Sequence, residues 1–225
     1  MKENGKITVA LEHIDFAYEK KGEMHQVLED VSYEFESGKM YAIMGKSGAG
    51  KTTTLSLLGA LDFPQKGQVL YCVEEITKKN QEKYRNEAVS MIFQDYNLLT
   101  YLNGYQNIAL AMHITGKKEE SEQIGAWLEK VGIDERTAKS NVKQISGGEQ
   151  QRIAIARTLA TNSKVILADE PTGNLDEETA NEIIELLYRL AHEENKCVIV
   201  VTHTKELAKK ADMTLRISDK KITEG

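Results

Sequence analysis

Three separated stretches carry residue types that can hold a string of phosphates and attack it. "GKSGAGKT", Gly45 to Thr52, fits G-x-x-x-x-G-K-[ST] in full. Glycines let successive backbone N–H groups turn toward one point, and a helix beginning there adds the positive end of its dipole. Gly45, Ser47, Gly48, Ala49 and Gly50 would form the cradle, with Thr53 completing it. Lys51 would reach the β- and γ-phosphates and the Thr52 hydroxyl would ligate Mg²⁺. Lys46 reads as a solvated surface charge.

The second stretch is "VILADE", 165–170, a buried-type strand ending in two carboxylates. In open α/β sheets the carboxyl ends of strands face the ligand crevice. Asp169 is then the second holder of Mg²⁺, through water, and Glu170 the base for an attacking water. "DEPTG" is also good turn chemistry, so alone the pair could simply cap the next segment. His203 ends "VIVVTH" in the same way and could hold the water in line, or be structural. Gln94, in "MIFQD", could sit beside the metal and γ-phosphate, or be an ordinary loop amide. Tyr18 offers an aromatic face for adenine; Phe16 is its competitor.

The third stretch, "ISGGEQQRIAIARTLA", 145–160, is another glycine turn running into a helix. Ser146 and Glu149 have capping-box spacing, which accounts for the serine and the glutamate. It does not account for Gly147 and Gly148, each costing roughly 1 kcal/mol relative to alanine in a helix. Glycines are expected where another group must approach the backbone closely.

The elements that must position these residues can be read from periodicity. "ITVALEHIDFAY" alternates as a strand, with Ile14, Phe16 and Tyr18 on one side, and "VSYEFESGK" reads as a strand and turn. "MYAIM", 40–44, is a short apolar run before the first glycine loop, and "TTTLSLLGAL" is helical. From about 95 to 163 helical pattern prevails, with Ile124, Trp127, Leu128 and Val131 forming an amphipathic stripe. "KVILAD", a helix with Ala180, Ile183, Ile184, Leu187 and Leu190 in register, and "KCVIVVTH" complete the chain's second half. Apolar strands alternating with helices imply a parallel sheet covered on both faces, interrupted by a helical insert.

Composition excludes several classes. The chain has 225 residues, 40% hydrophobic and 28% charged, with 29 basic against 35 acidic side chains, a net of -6. Such a balance offers no basic field for nucleic acid or anionic lipid. Cys72 and Cys197 lie in apolar surroundings without metal-like spacing, as expected of a reduced, cytosolic protein. The N-terminus has no apolar signal core, and "CVIVV" is far shorter than a membrane span. Any work at a membrane then requires another chain.

The order of these motifs resembles the nucleotide-binding subunit of ATP-binding cassette (ABC) transporters: phosphate loop, Gln94, "SGGE" (146–149), "VILADE", "NLD" (174–176) and His203. The resemblance covers almost the whole chain. It departs from the family at Ile145, usually leucine, and at Glu149, usually glutamine. It implies a P-loop NTPase fold of the ABC type: an α/β cassette with a RecA-like parallel-sheet core, an antiparallel β subdomain and an inserted α-helical subdomain. The single domain would divide into a core of 1–94 and 164–225 and a helical part of 95–163. It further implies an ATPase using ATP and Mg²⁺, with Thr52, Gln94 and Asp169 at the metal. Two copies would pair head to tail in the ATP-bound state. Ser146, Gly147, Gly148 and Glu149 of one would meet ATP held by the other, and Asp176 would lie in the loop crossing the seam.

"DEPTGNLD" with "SGGEQQR" resembles the MacB-, LolD-, BceA- and FtsE-like subgroup. Its members pair with permeases for peptides, lipoproteins or macrolide-like compounds, or signal across the membrane. The expectation is a peripheral subunit at the cytoplasmic face of a bacterial membrane, held there by a permease and binding no nucleic acid. A groove near "DYNLLTYLNGYQN", 95–107, would receive the permease, with Tyr96, Tyr101 and Tyr105 either exposed on it or simply packing the insert. The alternative is an FtsE-like regulator of cell-wall hydrolysis. No room exists between Lys51 and Ser146 for the coiled coil of DNA-repair relatives, and a guanine motif N-K-x-D is missing.

Overall fold

A computed structural model describes residues 7–118 and 120–225. Residues 1–6, the start of the N-terminal stretch discussed above, lie outside the described residues. The chain opens with two long antiparallel strands, β1 (Thr8–Lys20) and β2 (Glu23–Glu36), then β3 (Lys39–Gly45) and α1 (Lys51–Leu58). Next come β4 (Lys66–Tyr71), β5 (Glu74–Glu75), α2 (Gln81–Glu87) and β6 (Val89–Ile92). Four helices make up the insert: α3 (Gly104–Ile114), α4 (Ser121–Lys130), α5 (Glu135–Lys139) and α6 (Gly147–Ala160). The chain then alternates: β7 (Val165–Asp169), α7 (Glu177–His192), β8 (Cys197–Val201), α8 (Lys205–Lys210), and the hairpin β9 (Met213–Ser218) and β10 (Lys221–Glu224).

Two sheets result. A four-stranded sheet has the order β2-β1-β4-β5, and a six-stranded sheet the order β10-β9-β3-β8-β7-β6. The five strands from β9 to β6 pair in parallel, with β10 antiparallel at the edge. The continuous apolar runs of β3, β7 and β8 now have a reason. Met40, Ala42, Ile166, Ala168, Val198 and Val200 face one core, under α3, α4, α6 and α7. Tyr41, Ile43, Val165, Leu167, Ile199 and Val201 face the other, between the parallel sheet, α1 and the antiparallel sheet. With both faces dry no polar residue can alternate, and each fully buried aliphatic side chain stabilises the fold by roughly 1.5–3 kcal/mol.

The β1 alternation is broken where the sequence reads as regular. Its pairing with β2 shifts between Leu11 and Ile14, between Ile14 and Phe16, and between Phe16 and Ala17, with His13 at φ 52. Ala17 is buried beside Phe16, and Tyr18 is turned outward at 43% exposure. The bulges re-aim the side chains beyond them. The stripe on α4 holds: Ile124, Leu128 and Val131 are buried and Trp127 packs against them. Cys197 is buried, and burial pushes its thiol pKa up. Cys72 departs from its apolar reading: it is half-exposed in the turn after β4, at φ 47.

Among the described residues no helix is long and apolar enough to cross a membrane.

Candidate functional site

β3, β7 and β8 run side by side in register, Ile43 opposite Val201 and Val201 opposite Asp169, so their carboxyl ends open onto one place. The loop after β3 turns by way of Gly48 at φ 76 and Gly50 at φ 105, angles that side-chain-bearing residues rarely adopt. Gly50 is the N-cap of α1, whose first N–H groups therefore point into the loop. Lys51 folds back so that its ammonium donates to the carbonyls of Gly45 (3.0 Å) and Lys46 (3.2 Å). Lys46 itself is exposed, as expected.

Thr52, one residue into α1, donates its hydroxyl proton to Asp169 Oδ2 at 3.1 Å, across 117 residues of sequence. Burial pushes the Asp169 pKa up, and Glu170 adds to this, while the Thr52 hydrogen bond and the Lys51 charge pull it down. The Glu170 carboxylate lies against His203 Nδ1, so the ends of β7 and β8 are joined by the two groups that sequence reading placed there. Glu170 sits at φ 46, an uncommon conformation for a non-glycine residue. It is held by its N–H donating to Val201 O at 2.9 Å. A cleft of 380 Å³ is lined by Tyr18, Val27, Ser47, Gly48, Gly50, Lys51, Thr52, Thr53 and Glu170.

Tyr18 and Phe16 are separated by burial: Phe16 is 4% exposed and meets the Tyr18 ring edge-on at 4.8 Å. Tyr18 presents its ring at the cleft and accepts a hydrogen bond from the Thr53 hydroxyl at 3.4 Å. Val27 is the lining residue that sequence reading missed. It comes from β2 with no motif, and its Cγ1 would lie 2.8 Å from a Cβ placed on Gly50. Only the fold reveals it.

Gln94 lies just beyond β6, the neighbour of β7, and its carboxamide lies against Gly173. A Cβ there would be 3.2 Å from Gln94 Nε2 and 3.4 Å from the carbonyl of Glu170. Asn174 donates to the Gln94 carbonyl at 3.4 Å. Gln94 thus stands beside the segment that carries Glu170.

The turn at 146–149 is a complete capping box. Ser146 Oγ accepts from the Glu149 N–H at 3.2 Å, and the Glu149 carboxylate accepts from the Ser146 N–H at 2.7 Å and from its hydroxyl at 2.9 Å. Replacing Ser146 with alanine is expected to destabilise the fold by about 1 kcal/mol in urea denaturation. Gly147 and Gly148, in the first turn of α6, have close neighbours within the chain. A Cβ on Gly147 would lie 2.7 Å from the Tyr96 hydroxyl, and one on Gly148 would lie 2.5 Å from Thr179 Cγ2. Within one copy, then, a side chain at either position would have to displace its neighbour, the Tyr96 hydroxyl or the Thr179 methyl. Asp176 caps α7, accepting from the Thr179 N–H at 3.0 Å and its hydroxyl at 2.7 Å. These bonds hold its pKa down.

Of the three tyrosines read as exposed-looking, only Tyr101 is, at 76%; Tyr96 is half-buried and Tyr105 packs against the helical core. Tyr96 is drawn inward by its place over Gly147, and Tyr105 by lying on the first turn of α3.

Residues 28–173 match the family described as "ABC transporter". The chain is 46% identical over 203 residues to an uncharacterized ABC transporter ATP-binding protein, YclH, of Bacillus subtilis, covering 89% of this chain and 90% of that protein. It is 40% identical over 197 residues to the lipoprotein-releasing system ATP-binding protein LolD of Idiomarina loihiensis, covering 85% and 86%. Its fold superposes with TM-score 0.88 on the ATP-binding cassette MJ0796, solved as a dimer in a post-hydrolysis state bound to ADP and Pi. That match is 32% identical and covers 96% of this chain and 97% of that one.

Proposed function

Because the chain belongs to the ABC transporter family, in its LolD- and MacB-like branch, and is an ATPase, we propose that it is the motor subunit of a two-copy assembly driving a separate membrane permease. The observation that carries this reading is the convergence at three strand ends of the Lys51 loop, the Thr52–Asp169 pair and the Glu170–His203 pair.

In this reading the N–H groups of Ser47 to Lys51 and the start of α1 hold the phosphates, while Tyr18 stacks on the adenine. Lys51 exchanges its two loop carbonyls for phosphate oxygens. The residues fit a magnesium ion: Thr52 and Asp169 bring a hydroxyl and a carboxylate together at 3.1 Å. Mg²⁺ typically takes one or two protein oxygens and leaves the rest to phosphate and water. Thr52 and Asp169 would hold it, with Gln94 beside them, and it would neutralise charge on the phosphate oxygens. Glu170 accepts the proton of the attacking water, and His203, whose Nδ1 lies against it, keeps the carboxylate aimed and contacts the γ-phosphate. Ser146, Gly147, Gly148 and Glu149 meet ATP held by the second copy, and Asp176 lies at the seam, with α3–α6 and their flanks (95–163) moving against the core (1–94 and 164–225).

The permease would hold the chain at the cytoplasmic face of the membrane, docking beside exposed Tyr101. The cargo class we favour is peptides, including antimicrobial ones, lipoproteins or macrolide-like compounds; the second reading is an FtsE-like regulator of cell-wall hydrolysis. Lys51→Ala tests the site directly. It removes the loop ammonium set to meet the terminal phosphates, and MgATP affinity by calorimetry is expected to fall at least about 100-fold, as for loss of a charge-assisted contact of roughly 3 kcal/mol. Retained tight binding would sink the phosphate-loop assignment.

A further inference from the structure

Gln94 reaches the site from a loop whose backbone is strained. Tyr96 and Asn97 stand consecutively at φ 60 and φ 48, in the left-handed region that favours glycine. Each such residue costs of order 1 kcal/mol or more unless its surroundings hold it there. Local bonds supply part of the hold, the Tyr96 N–H donating to Phe93 O at 3.1 Å and the Asn97 N–H to Asp95 O at 2.6 Å. The rest comes from far away in sequence. Arg157, in the last turn of α6, donates from one guanidinium nitrogen to the Asn97 carbonyl at 2.6 Å and from another to the Tyr96 carbonyl at 3.1 Å. At the opposite end of the same helix, the Tyr96 hydroxyl lies over Gly147.

A half-buried guanidinium that meets two neutral carbonyls gains no charge neutralisation there, since carbonyl dipoles do not cancel its charge. Burial lowers the Arg157 pKa. Packing alone would be served better by an apolar side chain. What the guanidinium supplies is a rigid fork with two parallel donors, which fixes two successive carbonyls at once.

We propose that Arg157 is a positioning residue that clamps the strained loop at Tyr96–Asn97 to α6 and thereby sets where Gln94 stands relative to Glu170. The proposal rests on the reading of Gln94 as a group at the γ-phosphate. The clamp also ties the position of Gln94 to the helix that begins with Ser146–Gly148, so the two phosphate-facing turns cannot shift independently.

Arg157→Lys keeps the charge and length but has no planar fork; Arg157→Gln, which keeps a donor without the charge, is the second variant if lysine lowers stability. Three readouts are needed on the full chain. Backbone amide exchange at Tyr96–Leu98 is expected to rise about tenfold or more as the loop loosens. MgATP affinity stays within about twofold, while kcat for hydrolysis falls about 10- to 100-fold, the scale set by a misplaced catalytic group. In a cycle with Gln94→Ala, the double variant is expected to be no slower than Gln94→Ala alone, because both changes remove one function. Unchanged exchange, or losses that multiply in the double variant, overturns the clamp. Normal hydrolysis by Gln94→Ala overturns instead the placing of Gln94 at the γ-phosphate.

Discussion

Glu170→Gln is expected to bind MgATP as the parent does and to hydrolyse it about 10²- to 10⁴-fold more slowly, the range for loss of a general base. The side chain keeps its size and its place at the end of β7, where the Glu170 N–H is anchored to Val201 O. The amide has no basic oxygen lone pair strong enough to take a proton from water, and it leaves His203 without its anionic partner. Thr52, Asp169 and the Lys51 loop are untouched, so affinity should be preserved. If two copies close over two ATP, the variant should accumulate as an ATP-bound dimer on size-exclusion chromatography, because the step that reopens it is blocked. Near-parental turnover would remove Glu170 from the role of base. Slow turnover without a dimer would leave the base in place and contradict the two-copy reading.

That Glu170 can be singled out from sequence has a physical reason. β3, β7 and β8 are buried on both faces, so they appear as uninterrupted apolar runs, and the residues just beyond the runs of β7 and β8, Glu170 and His203, stand together at the ligand edge. Motif and element boundary coincide there. The capping box at Ser146 and Glu149 was legible for a similar reason, since both partners lie within one turn. The edge hairpin β9–β10 and the strands β4 and β5 were not. They are short, half-exposed and mixed in composition, so period-two signal is weak, and their pairing is decided by distant strands. The bulges of β1 were hidden too, because Ile14, Phe16 and Tyr18 look regular until the partner strand sets the register. Least legible of all were the contacts of the Gln94 loop. The bonds from Arg157 to Tyr96 and Asn97 span 61 and 60 residues, and nothing in either stretch marks the other as its partner.

Gly147 is where sequence and structure give competing reasons for one residue, and a pair of variants separates them. Gly147→Ala alone should destabilise the chain, because its methyl group would come 2.7 Å from the Tyr96 hydroxyl oxygen. The next atoms, Tyr96 Cζ and Leu175 Cδ2, are at 3.7 Å, an ordinary contact. Removing the hydroxyl with Tyr96→Phe should therefore restore most of the lost stability, to within about 1 kcal/mol in urea denaturation, the residue left being helix-start and packing effects. Catalysis should not recover with it. In the double variant the methyl group still stands on the turn that would meet ATP held by the second copy, where backbone N–H groups need unobstructed approach. Binding by the single copy should be normal, while turnover remains at least about 100-fold down, comparable to loss of an oxyanion-type donor. In the Glu170→Gln background the ATP-bound dimer should fail to form. If Tyr96→Phe rescues turnover together with stability, Gly147 serves only the packing of Tyr96 within one chain. The contact with a second copy's ATP must then be made elsewhere.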